Sequence, residues 1–149
     1  MRTFDTQIRV RFGHVDPAGI AYYPRIFEYV HAVTEELWEL HVGVRYDHLL
    51  QVEKIGFPLV HSEVDFRVPL VFGDRPIVRV SAFHLGRSSL GLHFRFEKEG
   101  KLAVDARMTT VCSDIGTLKS RPIPEAWRAK LALLMEPAAG TQGPAESAR

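Results

Sequence analysis

A chain of 149 residues with 46% hydrophobic side chains is long enough to bury the core of one domain, and its net charge of +1 gives no electrostatic case for nucleic-acid binding. No charged start leads into an apolar run and no stretch of about 18 apolar residues occurs, so neither a signal peptide nor a membrane span is expected. Cys112 is the single cysteine, which rules out an intramolecular disulfide and fits a reducing cytoplasm, with the thiol buried in a strand.

In chain order, Ile8, Val10 and Phe12 alternate with Gln7, Arg9 and Arg11, which predicts a first strand. Pro24 suits a first helical position, and Ile26, Phe27, Val30, Val33, Thr34, Leu37 and Trp38 recur at three and four residues. A helix from Tyr23 or Pro24 to about His41 follows. Residues 45 to 55 read as a short helical or irregular connection. Alternation then marks a long half-buried strand through Val60, Val64, Phe66, Val68 and Leu70. A turn over Phe72 to Pro76 leads to a strand through Val78, Val80 and Ala82 that ends near Leu85, and Gly86 to Ser89 turns the chain again. The next two strands run through Leu90, Leu92, Phe94 and Phe96, then through Leu102, Val104, Ala106, Met108, Thr110 and Cys112. Consecutive strands with tight turns predict an antiparallel meander whose apolar face the long helix must cover. Residues 122 to 135 add a short helix with Trp127, Leu131 and Leu134 on one face. One domain over 1–136 is expected, followed by a disordered tail over 137–149 that is rich in Pro, Ala, Gly, Ser and Thr.

The segment Arg11 to Pro24 carries the chemistry. Pro17 pushes Asp16 toward an extended conformation and Gly19 permits a geometry that a side chain would forbid, so a stiff loop presents one carboxylate. The start of the helix brings free N–H groups and a positive dipole end close to it, a place to polarise a carbonyl oxygen. Pro24 cannot donate, which leaves the backbone N–H of Tyr23 or Tyr22. Turn formation or helix capping by Asp16 is the plain structural alternative.

The motif Asp16-Pro17-Ala18-Gly19-Ile20 through Tyr23-Pro24 resembles the active-site loop of the hotdog-fold acyl-CoA thioesterases. The similarity is to their 4-hydroxybenzoyl-CoA thioesterase-like branch, which includes the Tol-Pal-associated thioesterases. The order of elements agrees with that branch over roughly residues 3 to 135. The resemblance implies an α+β hotdog fold, an antiparallel five-stranded sheet wrapped around one long central helix. It further implies hydrolysis of an acyl-CoA or aryl-CoA thioester. Asp16 then acts as nucleophile or as general base, and the Tyr23 backbone N–H holds the thioester oxygen.

The same resemblance suggests substrate contacts from Gly19 and Tyr22, from His61 at the start of the second long strand, and from Arg87, Ser88 and Ser89 in a sheet turn. A guanidinium beside two hydroxyls is a sensible phosphate contact, and an exposed turn is the plain alternative. Tyr22, Tyr23 and Phe27 can line a pocket for aromatic groups, and His14 can orient Asp16 or sit as a loop histidine on the surface. Glu28, about one helical turn in, is a lesser candidate for the catalytic carboxylate. The seven histidines show no paired-ligand spacing, so no metal is expected, and CoA enters as substrate rather than as a cofactor. The resemblance implies a homo-oligomer, a dimer or tetramer. A noncatalytic module that binds acyl-CoA or an acyl carrier protein on the same fold is the alternative function.

Overall fold

The computed structural model describes residues 2–137. A five-stranded antiparallel sheet in the order β1-β4-β5-β6-β3 curves around one long helix, as the resemblance implied. Its strands are β1 Phe4–Gln7, β3 Leu59–Phe66, β4 Ile77–Leu85, β5 Ser89–Lys98 and β6 Lys101–Val111. Helix α1 spans Pro24–Glu36 and continues through a wider π-helical turn, Leu37–Val42, that ends at Gly43 with φ +92°. The expected helix end at His41 therefore holds, although its last turn is not α-helical. Short α2, Tyr46–Gln51, and a two-stranded ribbon of β2 Ile55–Gly56 with β7 Ser113–Asp114 flank one end of the sheet. Helix α3, Glu125–Ala132, follows Pro124 and buries Trp127 and Leu131.

The core forms where the two periodicities meet. Ile26, Val30, Val33 and Leu37 from α1 pack against Val78, Val80, Ala82, Phe94, Phe96, Val104 and Ala106, all buried, as the alternation in β4 to β6 predicted. The first strand is displaced. Pairing with β4 begins at Phe4, and Ile8 and Val10 continue as a loosely bonded extension to Pro76 and Asp74. Phe12 stands 75% exposed in a 3-10 turn, Phe12–His14, edge-on to Phe72.

Two further expectations are corrected. Only β4, β5 and β6 form a meander, because β3 pairs with β6 and the chain then crosses to β4 on the other side. The strand predicted from Val60 to Leu70 stops at Phe66 and is not half-buried. Leu59, Val60 and Phe66 are more than half exposed, because β3 is an edge of the sheet. The tail expected over 137–149 lies, from residue 138 onward, outside the described residues. Within them, no helix is long and apolar enough to cross a membrane.

The sheet face turned away from α1 holds one buried polar cluster. His93, 5% exposed, hydrogen-bonds Asp105 through Nε2 and meets Glu136 Oε2 through Nδ1 at 2.8 Å, while Ser81 Oγ donates to that same oxygen at 2.7 Å. The His93 hydrogen bond outweighs burial and holds the Asp105 carboxyl below its ordinary 3.8. Burial pushes Glu136 up, but the hydrogen bonds from Ser81 and His93 win and leave it below 4.5. Carboxylates lowered in the fold stabilise it fully above their unfolded values, and that contribution is lost as pH falls through the folded ones. The thermal midpoint is expected to drop on acidification below about pH 4.5, and Asp105→Asn to flatten that drop. Midpoints recorded from pH 7 to pH 3 for both proteins check this, and an identical acid limb in the variant would count against it.

Candidate active site

The Asp16 loop is a closed turn. Asp16 N–H donates to the Ile20 carbonyl at 2.9 Å, Gly19 N–H donates to the Asp16 carbonyl at 2.8 Å, and Gly19 takes φ +86°, the left-handed region that glycine tolerates. Ala21 N–H donates to the Leu70 carbonyl at 2.7 Å, which ties the loop to the chain beyond β3. Asp16 Oδ1 accepts the Ala18 N–H at 2.9 Å, and Oδ2 has no hydrogen-bond partner among the described residues. One oxygen orients the carboxylate and the other is uncommitted.

Tyr23 immediately precedes Pro24 at the N-terminus of α1, with helical backbone angles. Its N–H has no acceptor among the described residues, whereas Tyr22 N–H is committed to the His14 carbonyl at 3.0 Å. Of the two donors the sequence left open, Tyr23 is the one with a free N–H. Asp16 and Tyr23 line one cavity of about 290 Å³, together with Ile26 from α1 and Phe66, Arg67 and Val104 from the sheet side. A part-buried aspartate and the residue that starts the helix, with its unpaired N–H, thus line one cavity together with mostly apolar side chains.

His14 is better placed than a surface loop residue. Its Nδ1 accepts the Arg11 N–H at 3.2 Å and faces Tyr29 Oη at 2.8 Å, with the two rings edge-on at 5.3 Å. Burial, then Arg25 and Arg11, lower the His14 pKa, while burial pushes Tyr29 up to about 12. His14 is therefore neutral at pH 7 and Tyr29 keeps the proton it donates. With Nδ1 accepting, the hydrogen-bond network assigns the ring proton to Nε2. The contact joins positions 15 residues apart, so only the helical spacing that turns Tyr29 inward hinted at it.

The remaining predicted residues disperse. Tyr22 is half exposed beside a shallow depression that also touches His14, Asp16 and Arg25, and lies outside the cavity of Asp16 and Tyr23. Glu28 is an exposed partner of Arg25 at 2.8 Å and lines neither space. His61 sits on the face of β3 turned away from α1, paired with Glu63 at 3.0 Å. Arg87 and Ser88 lie in the turn between β4 and β5, and Ser89 opens β5. The Arg87 carbonyl accepts from Ile123 N–H and Arg128, the Ser88 carbonyl from Cys112 N–H, and Ser89 Oγ meets His84 Nε2 at 2.6 Å. Along β5, Ser89 is seven residues from Phe96, the partner of Val104, or about 23 Å at a strand's rise per residue. Within one chain these residues and Asp16 occupy opposite ends of the sheet. Phe66 and Arg67 were not singled out as site residues from the sequence. The end of β3 shows no local signal for them, because their role comes from the crossover that returns the chain past Asp16.

Comparison with known proteins adds an independent observation. The sequence model of one family, described as the thioesterase-like superfamily, matches residues 10–131. A 1,4-dihydroxy-2-naphthoyl-CoA hydrolase of Synechococcus elongatus is 26% identical over 126 residues, covering 84% of this chain and 92% of its own. Among solved structures, a gentisyl-coenzyme A thioesterase is 30% identical with a TM-score of 0.77, covering 84% of this chain and 99% of that one. A 1,4-dihydroxy-2-naphthoyl-CoA thioesterase from Synechocystis, at 22% identity and a TM-score of 0.79, covers 88% and 96% and shares the fold.

Proposed function

The chain belongs to the thioesterase-like superfamily and has its hotdog fold, and from that premise we propose that it hydrolyses an acyl-CoA or aryl-CoA thioester with Asp16 at the reacting carbon. It is a thioester hydrolase. The pairing of a free Asp16 carboxylate oxygen with the unpaired Tyr23 N–H in one cavity carries the reading. The thioester carbonyl oxygen accepts the Tyr23 N–H, which strengthens as negative charge develops on that oxygen in the transition state. Asp16 then takes a proton from a water whose oxygen attacks the carbonyl carbon. The C–S bond breaks, CoA leaves as the thiolate, and the acid is released. In the nucleophilic variant Asp16 Oδ2 makes that attack, CoA departs, and water splits the resulting anhydride.

Two of the three relatives described above, the Synechococcus hydrolase and the gentisyl-coenzyme A thioesterase, are named for CoA thioesters of hydroxylated aromatic acids, which favours an aryl-CoA substrate. CoA is substrate here, not a resident cofactor. A homo-oligomer fits the exposed edge β3, where Phe66 beside the site and Leu59 and Val60 at the strand's other end leave apolar side chains for a second copy to cover.

Free-thiol release from a panel of short, long and aromatic CoA thioesters tests this reading. Turnover of at least one aromatic member is expected. A folded protein that binds acyl-CoA saturably but releases no thiol from any member would instead be a noncatalytic binding module.

A further inference from the structure

Residues 14 to 22 form a small hairpin that joins the two reacting groups. Asp16 N–H donates to the Ile20 carbonyl, Tyr22 N–H donates to the His14 carbonyl, and Val15 bridges Ala21 antiparallel between them. Asp16 ends the outgoing arm, and the returning arm runs into Tyr23 and α1. The placement of the carboxylate against the Tyr23 N–H therefore depends on how the outgoing arm docks on the helix.

The helix itself supplies a dock. Tyr29 lies six residues after Tyr23, about 9 Å further along α1, and is buried. Its hydroxyl meets His14 Nδ1 at 2.8 Å, and the same nitrogen accepts the Arg11 N–H at 3.2 Å. Among the described residues, one other side-chain hydrogen bond ties α1 to the outgoing arm, from Arg25 Nη2 to the Gly13 carbonyl, and it is exposed and 3.4 Å long. Upstream, Phe12 is exposed and a Cβ at Gly13 would meet nothing within 4 Å, so close packing does not fix the approach to His14. Val15 and Ala21 rest against the core and set the depth of the hairpin, but apolar contact is not directional, whereas a hydrogen bond is. Val15 is extended, with φ −94° and ψ 150°, so a turn of the arm at His14 is passed on to Asp16 two residues later.

We propose that Tyr29 and His14 are positioning residues for the hydrolysis proposed above: the hydrogen bond between them fixes the outgoing arm on α1 and thereby sets the Asp16 carboxylate against the Tyr23 N–H. The rate depends steeply on such placement, since a shift of about 1 Å at the reacting groups costs about a hundredfold. As core filling alone, the Tyr29 ring serves equally well without its hydroxyl, so Tyr29→Phe separates the two roles.

The test measures kcat and KM for thiol release at equal concentrations of folded protein, on the panel member that the wild type hydrolyses fastest, in Tyr29→Phe, His14→Leu, the double variant and His14→Asn. Tyr29→Phe and His14→Leu are each expected to lower kcat about ten- to hundredfold with KM changed less than about twofold. The double variant is expected to fall no more than about threefold below the worse single one, because the two residues act as one bond and independent losses would multiply. His14→Asn is expected to stay within about threefold of wild type, since an amide oxygen in the place of Nδ1 offers two lone pairs to the Arg11 N–H and the Tyr29 hydroxyl. An unchanged kcat in Tyr29→Phe, losses that multiply in the double variant or appear in KM instead, or no recovery in His14→Asn overturns the positioning role, and thiol release that disappears in Asp16→Asn leaves the hydrolysis standing. A wild type that releases no thiol from any panel member overturns both.

Discussion

Trp38→Ala is expected to destabilise the protein by about 3 to 5 kcal/mol, the largest loss of any single side-chain truncation proposed for this chain. The indole is 1% exposed, where α1 passes into its π-helical turn. It packs edge-on against Trp127 of α3 at 5.3 Å and tilted against Phe57 at 5.1 Å. Removing it leaves a void and breaks two aromatic pairs worth about 0.5 to 1.5 kcal/mol each beyond their buried area. A domain of this size has about 5 to 15 kcal/mol in total, so the variant is left close to its folding threshold. Docking of α3 loosens with it, since the hydrogen bond of His41 Nε2 to the Lys130 carbonyl, 2.7 Å, joins the same two elements. Trp38→Phe keeps part of both contacts and is expected to lose less than half as much. Urea unfolding of the three proteins measures this, and a loss below about 1 kcal/mol for the alanine variant would contradict the packing described.

Legibility in the sequence followed the range of the interaction. Helix α1 and strands β4 to β6 were readable because each is long, strictly periodic and buried on one face, so Val30, Val33, Phe94 and Ala106 announced their own environment. Strand β1, Phe4–Gln7, lacks that pattern, and its pairing partners in the sheet, Ile77 to Val80, lie far along the chain. Strand β3 misled for the opposite reason. Its apolar residues alternate as in a half-buried strand, but β3 is a sheet edge on which Val64 packs against the core while Leu59, Val60 and Phe66 stay more than half exposed. Asp16 and Tyr23 were legible because proline and glycine around them constrain the backbone locally. The partners that complete their cavity, Phe66 and Arg67, arrive through the crossover between β3 and β4 and have no local signature.

Asp16→Asn is expected to lower kcat for thioester hydrolysis by about 10²- to 10⁴-fold, the range a positioned acid or base supplies. The fold should survive. The Oδ1 contact with Ala18 N–H can be made by an asparagine amide oxygen, and the loop is held independently by backbone hydrogen bonds of Asp16, Gly19 and Ala21. What the amide cannot do is accept a proton from water or form an anhydride, so both forms of the mechanism fail together. A role confined to shaping the turn predicts the reverse, a small change in stability and an unchanged rate. The decisive measurement is the initial rate of free-thiol release from one aromatic CoA thioester by wild type and Asp16→Asn, at equal concentrations of folded protein. A loss of at least about a hundredfold is predicted; equal rates in the two proteins would contradict the placement of Asp16 at the thioester.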